Sequence, residues 1–251
     1  MLAIIFAAGL GTRLRPLTDT MPKALVPLAG HTLLEYQIRK LKAAGISDIM
    51  VNVHHFPDMI IDYVRAHGDF GCRIMISDER EALLDTGGGL RKAWNSFAAD
   101  SGEPVLALNA DILSTIRIED VMAEYNRSQG IDGLLVVKKR QTQRYLCFDD
   151  DKQLVGWTNI ATGEVKPELS PSALSHSTKL AFSGMQILSP SVLPMLNDFA
   201  EQIGQKFSVI DFYLAALQTA VFRGFEPEGE LLDVGKADHL AEAESFAIKY
   251  M

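Results

Sequence analysis

The chain has 251 residues, of which 47% are hydrophobic, and carries a formal net charge of −8 at pH 7. This composition predicts a packed globular protein, excludes an intrinsically disordered one, and argues against a nucleic-acid partner. No segment reaches the ~20 apolar residues of a membrane span, and the apolar run at 2–8 is too short for a secretory signal, so a cytoplasmic protein without a membrane partner is expected.

The first half of the chain alternates strand and helix patterns. The apolar run 3–7 predicts a strand that is buried on both faces of a parallel sheet. The βαβ order that follows predicts a doubly wound α/β sheet, with sites outside the carboxyl ends of its strands. The other predicted strands lie at 48–53, 72–77 and 105–109, and the predicted helices at 33–44, 58–66 and 89–97.

The second half is less regular and predicts a β-rich insertion before the chain returns to the core. Residues 144–164 have the turn residues of short antiparallel hairpins, and residues 166–177 are rich in Pro and Ser, which predicts an exposed loop. The remaining predictions are strands at 132–138, 180–188 and 220–226, and helices at 192–199, 209–219 and 237–248.

The loop after the first strand combines glycines with cations. Gly9 and Gly11 allow positive φ angles and a close approach of backbone amides to an anion. A glycine pair alone is typical of any tight turn, but Arg13, Arg15 and Lys23 follow closely. Arg13 can bind two phosphate oxygens as a fork, and Lys23 supplies a compact charge, whereas Arg15 fits an exposed surface cation equally well. This loop therefore predicts a polyphosphate site.

A second glycine run, at 87–89, follows Thr86 between a predicted strand and a predicted helix. Glycines there would let the chain pass flat against a ring while backbone amides bind base edges. A flexible loop is the alternative. The position, at the carboxyl end of a strand in a second βα unit, favours a nucleobase, with Thr86 and Gly87 as the nucleoside contacts.

Two aspartates follow apolar runs. Asp111 comes after the strand that ends at Asn109, and Asp233 stands in the segment Leu-Leu-Asp-Val-Gly at 231–235. Carboxylates at such positions can bind Mg²⁺, which prefers oxygen ligands and keeps water and substrate phosphates in its shell. A lone aspartate after a strand is more often a turn or helix cap, but a second one in a similar context favours a metal site.

Four strings in the opening segment, AAG at 7–9, GTRL at 11–14, PLT at 16–18 and PK at 22–23, resemble the N-terminal signature of the sugar-1-phosphate nucleotidyltransferases. The resemblance implies a Rossmann-like three-layer αβα fold with a mixed, mostly parallel sheet and a small β-rich insertion. It also implies a single domain over 1–251, with a nucleotide-binding half at 1–138 and a sugar-phosphate-binding half at 139–251.

The resemblance further implies the site residues. Arg13, Lys23 and Asp111 would be catalytic, and Asp111 and Asp233 would ligate magnesium, although the family usually has Gly where Ala110 stands. Gly184 matches a glycine of the family and, with Asp233, would bind the sugar phosphate. Arg140 and Arg144 follow the central strand and either bind a sugar phosphate or a carboxylated sugar or belong to the solvated surface; Arg144 is taken as the sugar-phosphate residue. The implied nucleotide-binding residues are Ala7, Ala8, Gly9, Gly11, Thr12, Arg13, Lys23, Thr86, Gly87 and Asn109.

The reaction implied is that of an NTP with a sugar 1-phosphate, in a protein that is a monomer or a homo-oligomer. The triple glycine resembles that of the N-acetylmuramate-1-phosphate uridylyltransferases and favours UTP. A heptose- or mannose-1-phosphate guanylyltransferase and a non-catalytic sugar-nucleotide-binding homologue are the alternatives. A glycosyltransferase with an Asp-X-Asp motif is disfavoured, because the acidic triplet at 149–151 lies in a predicted hairpin turn.

Overall fold

A large central sheet covered by helices makes up most of the protein. The computed structural model describes residues 1–98, 102–167 and 171–250. The strands are β1 Leu2–Phe6, β2 Pro27–Leu28, β3 His31–Thr32, β4 Asp48–Val53, β5 Arg73–Asp78, β6 Val105–Asn109, β7 Ile112–Ser114, β8 Gly133–Lys138, β9 Arg144–Phe148, β10 Leu154–Asn159, β11 Glu164–Lys166, β12 Thr178–Leu188, β13 Phe222–Phe225 and β14 Leu231–Asp233. The helices are α1 Leu33–Ala43, α2 Pro57–Ala66, α3 Asp85–Ala98, α4 Ile118–Arg127, α5 Pro171–His176, α6 Val192–Ile203, α7 Val209–Ala215 and α8 Leu240–Tyr250.

The central sheet has the strand order β11-β10-β9-β12-β6-β1-β4-β5, and β8 pairs with β12 and β13. The strands around β1 run parallel, as βαβ connections require. At the other end, β9, β10, β11 and β12 pair antiparallel. The α/β class and the mixed sheet with its β-rich insertion, both predicted from the sequence, are confirmed.

The apolar residues of β1 explain why helices cover both faces of the sheet. Successive side chains of a strand point to opposite faces, and every residue of β1 from Leu2 to Ile5 is buried. Leu2 and Ile4 pack in a core cluster with α3, α6 and α7, whereas Ala3 and Ile5 pack in a second cluster with α1, α2 and α4. These two cores give the predicted three layers.

A third core cluster fixes the segments that matter for the site. It contains Leu14 from the opening loop, Leu113 from β7, Val234 after β14, and Phe246 of α8. The segments that carry Arg13, Asp111 and Asp233 are therefore anchored to one another by apolar packing. None of the helices in the described ranges has the length and hydrophobicity to cross a bilayer.

Some predicted element boundaries are wrong. Helix α3 begins at Asp85 rather than at residue 89, so the glycine run lies inside its first turns. The loop predicted at 166–177 contains α5, while residues 168–170 of that prediction lie outside the described residues. Helix α4 and the short strands β7 and β14 were not predicted.

The acidic triplet at 149–151 lies in the turn between β9 and β10, as predicted. The backbone N–H groups of Asp151 and Gln153 donate to Oδ1 of Asp149 at 3.0 and 2.8 Å. An aspartate whose carboxylate binds the backbone a few residues later is a typical turn residue. The triplet therefore has a local structural explanation.

Candidate active site

The glycine loop folds back on itself directly after β1. Gly11 has φ +63°, and its carbonyl oxygen accepts hydrogen bonds from Leu14 N and Thr18 Oγ1, both at 2.8 Å. A Cβ on Gly11 would come within 2.8 Å of Thr18 Cγ2 and 3.2 Å of the Cβ of Lys23. Glycine is thus required at position 11 both by backbone conformation and by space.

Lys23 and Asp111 form an ion pair between Lys23 Nζ and Asp111 Oδ2. Lys23 stands in a short 3₁₀ turn and is only 8% exposed, and Asp111 follows β6, the parallel neighbour of β1. The sheet therefore brings together a cation and a carboxylate that lie far apart in the sequence. Both were predicted as catalytic groups.

Asp233 reaches the same place through the pairing of β14 with β7. Asp233 lies opposite Ile112 in the ladder, and Val234 N donates to the carbonyl oxygen of Asp111 at 2.9 Å. Gly235 lies against the exposed side chain of Arg13. A Cβ on Gly235 would be 2.9 Å from Arg13 Nη2 and 2.6 Å from Asp233 Oδ1. Arg13, Lys23, Asp111 and Asp233 thus converge, whereas Arg15 pairs with Asp19 on the surface.

The two aspartates fit a magnesium ion. Oδ1 of Asp233 is buried and has no hydrogen-bond partner among the described residues, although a buried carboxylate oxygen normally has one. Asp111 and Asp233 supply hard oxygen ligands, and the same described residues contain no group of three or more acidic, His or Cys side chains arranged for a metal. One or two carboxylates together with substrate phosphates and water are the usual ligands of Mg²⁺ in proteins.

A cleft of about 360 Å³ lies at the carboxyl ends of β1 and β6. Its lining includes Phe6, Thr86, Asn109, Arg144 and Gly184. It therefore joins the end of β1 and the start of α3 to residues of the second half of the chain. The side chain of Arg144, an exposed residue, has no hydrogen bond or ion pair within the part of the chain that the structure describes.

Gly184 makes room for Asn109 in this cleft. Gly184 has φ +73°, and a Cβ on it would come within 2.6 Å of Asn109 Nδ2. Both residues were predicted, Asn109 for the nucleotide and Gly184 for the sugar phosphate. The structure brings them into direct contact at the edge where β6 and β12 pair.

The glycine run at the start of α3 packs against protein rather than lying open. Both Gly87 N and Gly88 N donate to the carbonyl oxygen of Phe207, at 2.9 and 3.2 Å. A Cβ on Gly87 would overlap the ring of Phe207, and one on Gly88 would overlap the carbonyl oxygen of Gln205. The expectation that these glycines leave their amides free for a base is wrong for Gly87.

Thr86 keeps its place in the cleft, but its side chain is also engaged. Thr86 Oγ1 accepts a hydrogen bond from Val209 N at 3.0 Å. Ser208, Val209 and Ile210 line the same cleft. The sequence did not predict this 208–210 segment as part of the site, because it lies more than a hundred residues beyond Thr86 and only tertiary pairing reveals it.

The predicted residues Ala7, Ala8, Gly9 and Thr12 all lie on the loop that follows β1. Ala7 and Ala8 are buried, whereas Gly9 and Thr12 are exposed. The N–H of Ala7 donates to Asn52 Oδ1 at 2.7 Å, so this amide is already bonded within the protein. Asn52 was missed from sequence, although a polar residue inside the buried strand 48–53 was a visible signal.

Comparisons with known proteins show similarity over nearly the whole chain. The family model for nucleotidyl transferases matches residues 2–249. The chain is 46% identical over 112 residues to N-acetylmuramate alpha-1-phosphate uridylyltransferase from Caulobacter vibrioides. This match covers 44% of this chain and 45% of that protein. The chain is 32% identical over 197 residues to mannose-1-phosphate guanylyltransferase 1 from Arabidopsis thaliana. This match covers 77% of this chain and 51% of that protein. The chain thus spans about half the length of the curated relatives it matches.

Solved structures share the fold. UDP-glucose pyrophosphorylase from Acinetobacter baumanii superposes with a TM-score of 0.78 over 99% of this chain and 94% of that chain, at 16% sequence identity. At this identity, the likeness shows a common architecture.

Proposed function

Because the chain belongs to the nucleotidyl transferase family, we propose that it transfers the nucleotidyl group of an NTP to a sugar 1-phosphate and releases pyrophosphate. The nucleotide is UTP, and the acceptor is N-acetylmuramate 1-phosphate or a related hexose 1-phosphate. The observation that carries this proposal is the convergence of Arg13, Lys23, Asp111 and Asp233.

The reaction needs no side-chain nucleophile, because the acceptor phosphate is already ionised at neutral pH. One of its oxygens attacks the α-phosphorus in line, a new P–O bond forms, and the bond to the β-phosphate oxygen breaks. The electron pair leaves with pyrophosphate. The protein's contribution is therefore to position the reactants and to neutralise charge.

The cations of the opening loop have distinct roles in this reaction. Lys23 is a compact charge next to Asp111, which suits the α-phosphate, where negative charge must be neutralised in the transition state. Arg13 is more exposed and offers a planar fork of N–H donors for the departing pyrophosphate. Asp111 and Asp233 would hold Mg²⁺, which when bound neutralises charge on the phosphates.

The acceptor is assigned to the side of the cleft that Arg144 and Gly184 line. Arg144 comes from the 139–251 half. Its guanidinium, which has no partner among the residues that the structure describes, suits either the phosphate or a carboxylate of the sugar. In this assignment residues 1–138 bind the nucleotide and residues 139–251 bind the sugar phosphate. Asp233 is the exception, since it belongs to the second half by sequence and completes the metal site of the first.

The choice of UTP and N-acetylmuramate 1-phosphate rests on the 46% identity to the Caulobacter uridylyltransferase. The guanylyltransferase alternative, with GTP and mannose 1-phosphate or a heptose 1-phosphate, is supported by a longer match at lower identity. A non-catalytic sugar-nucleotide-binding role is disfavoured, because Arg13, Lys23, Asp111 and Asp233 are all present.

This proposal is tested by measuring pyrophosphate release by the purified protein. Each NTP is combined with each member of a panel of sugar 1-phosphates in the presence of Mg²⁺. We expect the highest kcat/KM with UTP and N-acetylmuramate 1-phosphate. A preference for GTP with mannose or heptose 1-phosphate would instead support the guanylyltransferase. Silence with every pair, together with tight binding of a sugar nucleotide, would overturn the catalytic proposal.

A further inference from the structure

Asn52 and Glu79 form a buried hydrogen-bonded link, the Asn52–Glu79 link, between the loop that follows β1 and the segment that precedes α3. Asn52 Oδ1 accepts from Ala7 N at 2.7 Å, and Asn52 Nδ2 donates to Glu79 Oε1 at 2.8 Å. The other carboxylate oxygen, Oε2, accepts from Leu84 N at 3.1 Å. Asn52 is 3% exposed and Glu79 1% exposed, so water does not compete for these bonds.

The sheet explains why this link joins two separate loops. Strand β4 lies between β1 and β5, and Asn52 is in register with Phe6 on one side and with Ser77 on the other. The loop that follows β1 begins at Ala7, and the segment that follows β5 leads to Thr86. Asn52 and Glu79 thus connect the ends of three neighbouring strands through side chains.

The hydrogen bonds in the link have a fixed direction. Both oxygens of Glu79 accept from N–H groups, so the ionised carboxylate satisfies every contact, although burial raises the pKa of Glu79. The negative charge then holds Nδ2 of Asn52, which turns the amide oxygen of Asn52 towards Ala7 N. A change in either side chain alone leaves a buried polar group without its partner.

The third glycine of the run makes room for the link. A Cβ on Gly89 would lie 2.8 Å from Glu79 Oε1 and 2.9 Å from Asn52 Nδ2. Helix α3 therefore approaches the link as closely as its backbone allows. The same helix begins with Asp85 and Thr86, which line the cleft, so the link lies against the element that presents them.

We propose that Asn52 and Glu79 are positioning residues, which hold the Ala7 loop and the Leu84–Thr86 segment at a fixed separation and so set the affinity for the nucleoside part of the NTP. This inference rests on the proposed function, because it takes these two segments as the nucleotide-binding ones. The link already holds both segments in place. The protein therefore loses less conformational entropy when the nucleotide binds than it would if the two segments were free to move.

An exchange of the two side-chain chemistries tests the proposal. In Asn52→Asp, the carboxylates of residues 52 and 79 face each other. In Glu79→Gln, each of the two side-chain amides has only one acceptor oxygen, so at one of the three bonds of the link two N–H donors face each other whichever way the amides turn. In the double variant, the new carboxylate at position 52 accepts both from Ala7 N and from the new amide at position 79. The oxygen of that amide accepts from Leu84 N. The double variant therefore restores every bond of the link with the middle one reversed, at unchanged net charge.

We expect each single variant to weaken UTP binding about tenfold, to raise KM for UTP similarly, and to leave KM for the sugar 1-phosphate within about twofold. The double variant should return to within about threefold of the wild type. Ser77→Ala is the matched control, because Ser77 is a buried polar residue of the adjacent strand whose hydroxyl has no hydrogen-bond partner among the described residues. It should leave UTP binding unchanged.

Hydrogen exchange of the Ala7 and Leu84 amides, measured without nucleotide, reports the link directly. Both amides should exchange faster in the single variants and regain protection in the double variant. The proposal would be overturned if the folded single variants bound UTP as tightly as the wild type does. It would also be overturned if the double variant bound UTP as weakly as the single variants do. If the wild-type protein binds no NTP at all, the proposed function itself fails and this inference fails with it.

Discussion

Lys23 keeps only 8% of its surface exposed, and its ammonium group is stabilised there by the carboxylate of Asp111. A buried charge without a partner costs several kcal/mol, so this pair matters to the fold as well as to the reaction. Asp111, however, is 28% exposed and can be solvated when Lys23 is removed. The two roles can therefore be separated by measurement.

Lys23→Ala should lower kcat by about 100-fold or more while changing the melting temperature little, because it removes a charge that acts on the transition state and leaves a carboxylate that water can reach. Steady-state kinetics and thermal unfolding check this. Arg15→Ala is the control, since Arg15 is an exposed cation of the same loop, paired with Asp19. A large melting loss with intact kcat would make Lys23 a structural residue.

Asp111→Asn should reduce turnover below ~1% of the wild-type rate and leave the protein folded. The amide can still accept a hydrogen bond from Lys23, but it lacks the charge that holds a divalent cation. Pyrophosphate release and circular dichroism check the two parts. Asp150→Asn, in the turn after β9, is the control. Release at the wild-type rate by Asp111→Asn would contradict the metal assignment.

At the scale of single elements, the start of α3 shows how packing overrides local propensity. Glycine is a poor helix former, so the sequence pattern predicts a helix only from residue 89. The helix begins at Asp85 because the N–H groups of Gly87 and Gly88 bind the carbonyl oxygen of Phe207. That partner lies far along the chain, and no local pattern could reveal it.

Gly88→Ala should destabilise the protein by about 2 kcal/mol, because its Cβ would overlap the backbone carbonyl of Gln205, which cannot rotate away as a side chain could. Urea unfolding measures the loss. Gly9→Ala is the control, since a Cβ there meets no atom of the described residues within 4 Å and Gly9 has no positive φ. An equal loss in both variants would show that glycine flexibility, and not the contact with Gln205, is responsible.

At the scale of the molecule, the sequence predicted the doubly wound sheet because hydrophobic periodicity is a local signal. The buried strand 105–109 was predicted with the bounds that β6 has. Strands β7 and β14 have three residues each, too few for a periodic pattern, and they pair across more than a hundred residues. The cations and carboxylates were therefore predicted individually, whereas their convergence depends on pairings that only the folded chain reveals.

The packing of α1 on β7 should make the free energy of unfolding depend on pH in the alkaline range. Lys40 Nζ donates to Ser114 O at 2.7 Å, and burial lowers the pKa of Lys40 from 10.5 to about 8, an effect partly offset by Glu119. His31, Arg39 and Arg117 line the same cavity of about 440 Å³. The unfolded chain keeps this proton until about pH 10.5, so between pH 8 and 10.5 it binds more protons than the folded chain.

The free energy of unfolding should therefore rise with pH over that range, by on the order of 2 kcal/mol, and the contribution should be constant below pH 8. Urea unfolding at pH 7.5 and 9.5 measures it. The difference between wild type and Lys40→Met isolates Lys40 from other titrating groups. Parallel pH profiles for the two proteins would show that the Lys40 pKa is not lowered.

The pairing of β14 with β7 also has a consequence for how the protein is made. The ribosome delivers Asp233 more than a hundred residues after Asp111, and the strand that carries Asp233 pairs beside Asp111 only after that. A nascent chain that already exposes its glycine loop still lacks the second carboxylate and the glycine that lies against Arg13. A nascent chain that stops before β14 therefore cannot bring the two carboxylates together.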